Sequence, residues 1–187
     1  TIDYIGFEHI LIADAKRGDI GNTAKQYAYS IFEHFGFDCV TINPFLGPDS
    51  VVPFLEKKEK GVFLLAKTSN ASSNYFQDLK DGNICLYEKV AKMARDLNQN
   101  NNVGLVVGAT ASNELKIIRA LSSGMPILIP GVGAQGGDLN SCMRIGNKNG
   151  ISLINISRSI SFAGDMSAKS IKDAASNFLN QMHDSIK

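Results

Sequence analysis

The sequence has 187 residues, 44% of them hydrophobic and 20% charged, with a formal net charge of +1. That is enough chain for one globular domain with a sizeable core, and so balanced a charge gives no electrostatic case for a nucleic-acid or anionic-membrane partner. No apolar run approaches about 18 residues, and Cys39, Cys85 and Cys142, widely spaced and without a CxxC, fit buried thiols of a reducing, cytoplasmic compartment better than a disulfide framework.

The chain opens TIDYIGF, which reads as the tail of a helix entering a strand, and carries no initiator Met, so the expectation is that further residues precede Thr1. Six apolar, β-branched runs then alternate with helical patterns: residues 10–14, 38–43, 62–68, 103–110, 126–130 and 152–157. Between them, Tyr27, Ala28, Ile31, Phe32 and Phe35, and then Ile84, Tyr87, Val90, Ala91, Ala94 and Leu97, recur at helical spacing. The last such stripe, Ile171, Ala174, Ala175, Phe178, Leu179, Met182 and Ile186, is the clearest. These stripes read as core. Residues 57–60 read as a solvated helix end and 98–102 as a loop; no linker stands out, so one domain is expected to cover residues 1–187. Repeated βα units with strands buried on both faces imply a parallel sheet, either open and doubly wound or closed as a (β/α)8 barrel, and a count of six leaves both open.

Charged and polar residues gather where the strands end. In ILIADAKRGDIGNT, residues 10–23, period-two geometry sends the Asp14 carboxylate and the Lys16 ammonium from one face at the strand's carboxyl end, where α/β barrels keep their chemistry. Gly18 allows a sharp turn, and Asp19 and Thr23, four apart at the head of the next helix, share a face. Plainer readings stand beside these: Asp14 and Lys16 as an ordinary ion pair, Asp19 or Asn22 as a helix cap. After the third run, Lys67-Thr68-Ser69-Asn70 offers hydroxyls and an amide to a polar ring, unless Ser69 or Asn70 only caps the following helix.

After the fifth run, PGVGAQGGD (130–138) holds Gly131, Gly133 and Gly136 in GxGxxG spacing. These glycines follow a late strand, and the next strand ends in Ser157-Arg158, not in an acidic ribose ligand, which argues against a dinucleotide fold. Bare backbone N–H groups ahead of a helix instead make an anion cradle, with Arg158 offering a planar charged fork to phosphate oxygens. Barrels often bind phosphate after their seventh and eighth strands, so on that reading two strands are missing before Thr1. His9, His34 and His183 are scattered and lack metal-ligand spacing, so no metal site is expected.

The ordered set of motifs is similar to the orotidine 5′-phosphate decarboxylase family, particularly its bacterial-type branch. Asp14-Ala-Lys-Arg-Gly-Asp-Ile20 matches the family's DxKxxDI signature, and GNT follows it. TSN (68–70), VVGAT (106–110), IPGVGAQGGD (129–138) and SRSI (157–160) then fall in family order. The resemblance covers nearly the whole chain and implies a (β/α)8 TIM barrel with six of its eight βα units in this sequence. It also implies a homodimer with active sites at the subunit interface, and cofactor-free conversion of orotidine 5′-phosphate to uridine 5′-monophosphate.

Carried over by motif, Asp14 would face the substrate carboxylate and Lys16 would protonate C6. Asp19, with Ile20 and Thr23, would reach into the neighbouring subunit's site. Ser69 would contact the pyrimidine, Gln135 and Arg158 the 5′-phosphate, with Pro130, Gly136 and Ser157 also at the substrate and residues 131–137 closing as a lid. The family also uses a ribose-binding aspartate after its first strand and a lysine after its second, and neither lies in these residues. Two alternatives remain: a relative that decarboxylates a sugar-acid phosphate with Mg²⁺ held by the acidic pair, and a non-catalytic module that only binds a nucleotide phosphate.

Overall fold

The computed structural model describes residues 2–6, 8–133 and 136–186. In chain order it runs α1 (Ile2–Ile5), β1 (Ile12–Arg17), α2 (Gly21–Tyr29), β2 (Cys39–Ile42), α3 (Val52–Leu55), β3 (Gly61–Lys67) and α4 (Asn74–Gln77). It continues with a small hairpin, β4 (Lys80–Asp81) and β5 (Ile84–Cys85), then α5 (Leu86–Leu97), β6 (Val103–Val107), α6 (Ser112–Leu121) and β7 (Ile127–Pro130). The last elements are α7 (Leu139–Gly146), β8 (Ser152–Asn155), α8 (Arg158–Ser161) and α9 (Ala168–Ser185). The hairpin escaped the sequence reading, because two-residue strands carry no measurable period.

Six strands form one parallel sheet in the order β1-β2-β3-β6-β7-β8. Apart from the hairpin, each strand lies beside its successor in the chain, with no reversal of order. A doubly wound sheet reverses at a switch point; a barrel does not, so these are six βα units of a (β/α)8 TIM barrel.

The two faces of the sheet are unequal. Toward the helices, Val40, Ile42, Val62, Leu64, Leu105, Ile127 and Ile129 are fully buried and join residues of α2, α5, α6 and α7 in one large apolar cluster. Each such side chain contributes roughly 1.5–3 kcal/mol by leaving water. The other face, the barrel interior, holds a smaller cluster of Phe63, Val106 and Leu128, with Ile12, Cys39 and Leu65 packed against it. Asp14 bonds Thr41, which alternates with the helix-facing Val40 and Ile42, and Lys16 bonds Asp14, so both lie at that inner face beyond Ile12. In α9, Phe178 and Met182 pack on the large cluster, whereas Leu179 and Ile186, read as core from their spacing, are exposed.

Strand limits shift where polar contacts overrule hydropathy. The first strand starts at Ile12, not Ile10, because Asp38 takes Leu11 from both sides: its side chain accepts from Leu11 N, and its own N–H donates to Leu11 O. It then runs on to Arg17 through residues that look like a loop. The fourth apolar run stops at Val107, where Ala111 N bonds Gly108 O and turns the chain into α6.

Candidate active site

At the carboxyl end of β1 the ladder is irregular. Ala13 pairs with Val40 and Arg17 with Ile42, so Asp14, Ala15 and Lys16 together lie opposite Thr41. Such bulges re-aim side chains. Lys16 takes φ +47°, a left-handed conformation that costs a non-glycine residue about 1–2 kcal/mol. Its Nζ donates to Asp14 Oδ1 at 2.6 Å. Thr41, almost fully buried, donates its hydroxyl to the same oxygen at 2.9 Å and accepts from Lys16 N at 3.0 Å.

Partial burial pushes the Asp14 carboxyl up, but hydrogen bonds from Lys16 and Thr41, with the charge of Lys16, outweigh it and hold it below the usual aspartate range. The carboxylate is therefore anionic at neutral pH, next to a cation that carries transferable protons.

Asp19 and Ile20 follow directly. The Asp19 carboxylate accepts from Ile20 N at 2.8 Å, and Ile20, 58% exposed, is the N-cap position of α2 with no side-chain cap bond. The capping reading of Asp19 and Asn22 therefore fails. Thr23 stands exposed in the first turn of α2. Asp19 thus lies just ahead of α2, half-buried, and does not share a helical turn with Thr23 as the four-residue spacing implied, whereas Ile20 and Thr23 are exposed.

The end of β3 is held more firmly. Lys67 is buried and its Nζ donates to Asp78 Oδ1 at 2.5 Å, 5.9 Å from the Tyr87 ring centre. Gln77 accepts from Thr68 N at 3.0 Å and donates to Thr68 Oγ1 at 2.9 Å. Thr68 Oγ1 in turn donates to Asn70 Oδ1 at 2.6 Å, and Asn70, N-cap of the short helical turn 71–73, makes no side-chain cap bond. Two adjacent residues at the end of α4, Gln77 and its C-cap Asp78, thus tie down the segment that carries Ser69. On its other side Ser69 rests on Gly108, where a Cβ would stand 2.6 Å from Ser69 N. Only glycine lets β6 approach this closely.

At the far edge the backbone does the shaping. Gly131, Gly133 and Gly136 take φ of +99°, +78° and +84°, conformations open to glycine at little cost. Gly136 N bonds Gly133 O at 2.8 Å, and the Gly137 backbone lies against Ala109. Asp138 caps α7 by accepting from Asn140 N and Ser141 N. Pro130 ends β7 opposite Asn155, and Ser157 Oγ donates to Asn155 Oδ1 at 2.9 Å. A Cβ on Gly133 would lie 2.8 Å from Ser159 Oγ, so the loop abuts the segment bearing Ser157 and Arg158, both exposed. Gln135 lies outside the described residues.

All the described candidate residues therefore sit at the carboxyl ends of β1, β3, β7 and β8 or in the segments that follow them. Sequence reasoning missed Thr41, Gln77 and Asp78. For Thr41 a signal existed, a lone hydroxyl in the apolar strand next to DAK; for the other two there was none. Among the described residues no helix is long and apolar enough to cross a membrane, and no group of three or more His, Cys, Asp or Glu is placed to hold a metal.

Comparison with known proteins gives a consistent set of likenesses. Residues 4–172 match the model of the orotidine 5′-phosphate decarboxylase / HUMPS family. The orotidine 5′-phosphate decarboxylase of Haloarcula marismortui is 46% identical over 191 residues, covering 100% of this chain and 69% of the relative. Across eight curated relatives that are 46–49% identical, the chain spans 59–70% of the relative's length. Among solved structures, Leishmania donovani OMP decarboxylase superposes with a TM-score of 0.85 at 38% identity, over 93% of this chain and 67% of that one. The Methanocaldococcus jannaschii enzyme, solved with the inhibitor BMP, gives 0.70 at 26% identity, over 88% of this chain and 72% of that one.

Proposed function

This chain belongs to the orotidine 5′-phosphate decarboxylase / HUMPS family, and from that premise we propose that the protein converts orotidine 5′-phosphate to uridine 5′-monophosphate and CO2, the last step of de novo pyrimidine synthesis. It does so in the cytoplasm, as one barrel domain that dimerises. The observation that carries the reading is the Asp14–Lys16 pair at 2.6 Å, set on a bulge at the carboxyl end of a barrel strand.

Breaking the C6–carboxylate bond releases CO2 and leaves the electron pair on C6. Lys16 stabilises that carbanion by its charge and then delivers a proton to C6, leaving a neutral amine that solvent reprotonates. Asp14 faces the substrate carboxylate and keeps Lys16 in place. Ser69 contacts the pyrimidine, and the tie from Gln77 and Asp78 supports that assignment because it fixes the segment before substrate arrives. Arg158 and Gln135 bind the 5′-phosphate, with Pro130, Gly136 and Ser157 completing that end. Gripping a group remote from C6 drives closure of the 131–137 loop, so binding energy is spent on the transition state. Asp19, Ile20 and Thr23 enter the neighbouring subunit's site, a role the exposure of Ile20 and Thr23 supports. The free thiols of Cys39, Cys85 and Cys142 suit a reducing compartment.

The test is the ultraviolet absorbance change of orotidine 5′-phosphate with the intact protein, chelator present and no metal added. Turnover is expected. Activity that disappears with chelator would favour the Mg²⁺-dependent sugar-acid branch, and tight uridine 5′-monophosphate binding without turnover would favour the binding-only module.

A further inference from the structure

A regular parallel ladder gives each inner N–H a carbonyl partner on the next strand. The bulge at the end of β1 breaks that rule, since Asp14, Ala15 and Lys16 face Thr41 alone. A fully buried N–H without an acceptor costs about 1–3 kcal/mol and the part-buried Lys16 N–H some fraction of that, while Lys16 already carries the cost of its left-handed φ. Something must compensate. The Thr41 hydroxyl accepts from Lys16 N at 3.0 Å and donates its single proton to Asp14 Oδ1 at 2.9 Å.

From this arrangement we infer that Thr41 is a positioning residue for the Asp14–Lys16 pair: its hydroxyl stands in for the missing ladder partner and sets the facing of both side chains. The inference deepens the proposed function and rests on it for its kinetic form. The hydroxyl accepts one bond and donates one, the first fixing the backbone that carries the lysine and the second fixing the carboxylate. The Thr41 bond to Asp14 falls on Oδ1, the same oxygen that takes Lys16 Nζ. Backbone and side-chain geometry are thereby locked through one oxygen atom. The strand around it cannot substitute, because Val40 and Ile42 face the helices in the large apolar cluster.

The chemistry demands a hydroxyl, because an aliphatic side chain of equal size neither accepts nor donates. In the intact protein, Thr41→Val is expected to lower kcat about 10- to 100-fold while KM for orotidine 5′-phosphate changes less than about threefold, since the phosphate and pyrimidine contacts are untouched. Thr41→Ser, which keeps the hydroxyl, is expected to stay within about threefold of wild type. A valine variant with wild-type kcat, or a serine variant as impaired as the valine one, overturns the inference. Should Thr41→Val not fold, Thr41→Ala against Thr41→Ser makes the same comparison.

If wild-type protein does not turn over this substrate, the functional reading fails, and crystal structures decide the Thr41 inference by themselves. In Thr41→Val, Lys16 φ is expected to leave the positive region and the Lys16 Nζ to Asp14 Oδ1 distance to exceed 4 Å. An unchanged pair in that structure overturns it.

Discussion

At the β1 to β3 edge of the candidate site, side chains are held by other side chains: Asp14 by Lys16 and Thr41, Lys67 by Asp78, Thr68 by Gln77. At the β7 to β8 edge, three glycines at positive φ shape the loop, and Arg158 stands in solvent. The first edge is organised before any ligand arrives, as chemistry at a fixed atom requires, because reorganising dipoles during the reaction would forfeit their stabilisation. The second edge is built from glycine backbone in place of interlocked side chains, and the proposed grip on a remote anion would need it to open, because a rigid collar would bar entry. On the proposed function, catalytic precision and substrate capture would fall to two sides of the same barrel rim.

The largest expected effect tests the first edge. Lys16→Ala should lower kcat by at least about 10³-fold while a uridine 5′-monophosphate analogue still binds; near-wild-type turnover would remove Lys16 from the mechanism. Mixing that variant with Asp19→Ala should restore roughly a quarter of wild-type activity, since half the dimers are mixed and one of their two sites is intact. No recovery in verified heterodimers would mean that each site is built from one chain.

Arg158→Ala should act differently, raising KM about 10- to 100-fold, in line with roughly 1.5–3 kcal/mol for charge-assisted hydrogen bonds to phosphate. An unchanged KM would deny the second edge its role in capture.

Asp78→Ala strands the buried Lys67 charge. Because the Asp78 side chain is 38% exposed, the cost should be about 2 kcal/mol, below the range for a fully buried pair, and the midpoint of thermal unfolding should fall by roughly 4–8 °C. A smaller loss from Lys67→Met is the matching control, since it removes the charge and keeps the stem.

The smallest effect concerns pH. The Asp14 carboxyl is held below its ordinary value, so the stability from its pairing is complete above the unfolded value of about 4 and is lost as pH falls through the lower folded value. The stability difference between wild type and Asp14→Asn in urea should be flat above about pH 5, narrow only below about pH 4, and stay under about 1 kcal/mol for so exposed a pair. A difference that varied between pH 6 and 8 would place the relevant titration elsewhere.

How much of this was legible in the sequence varies by element. Hydropathic period found all six main strands and the long helices, because burial on a strand or helix face repeats at a fixed interval. The motif order singled out Asp14, Lys16, Ser69 and Arg158, and the structure sets all four at or just after the carboxyl ends of strands. Periodicity could not choose between an open sheet and a barrel, because that choice lies in which strand sits beside which. It also misjudged Leu179 and Ile186, which have the spacing of core residues and face solvent. Tertiary structure alone revealed that Thr41 meets Lys16 across 25 residues and that Lys67 meets Asp78 across 11. Such contacts have no local signature: each depends on where a neighbouring strand or turn places a single polar atom, and sequence spacing does not encode that distance.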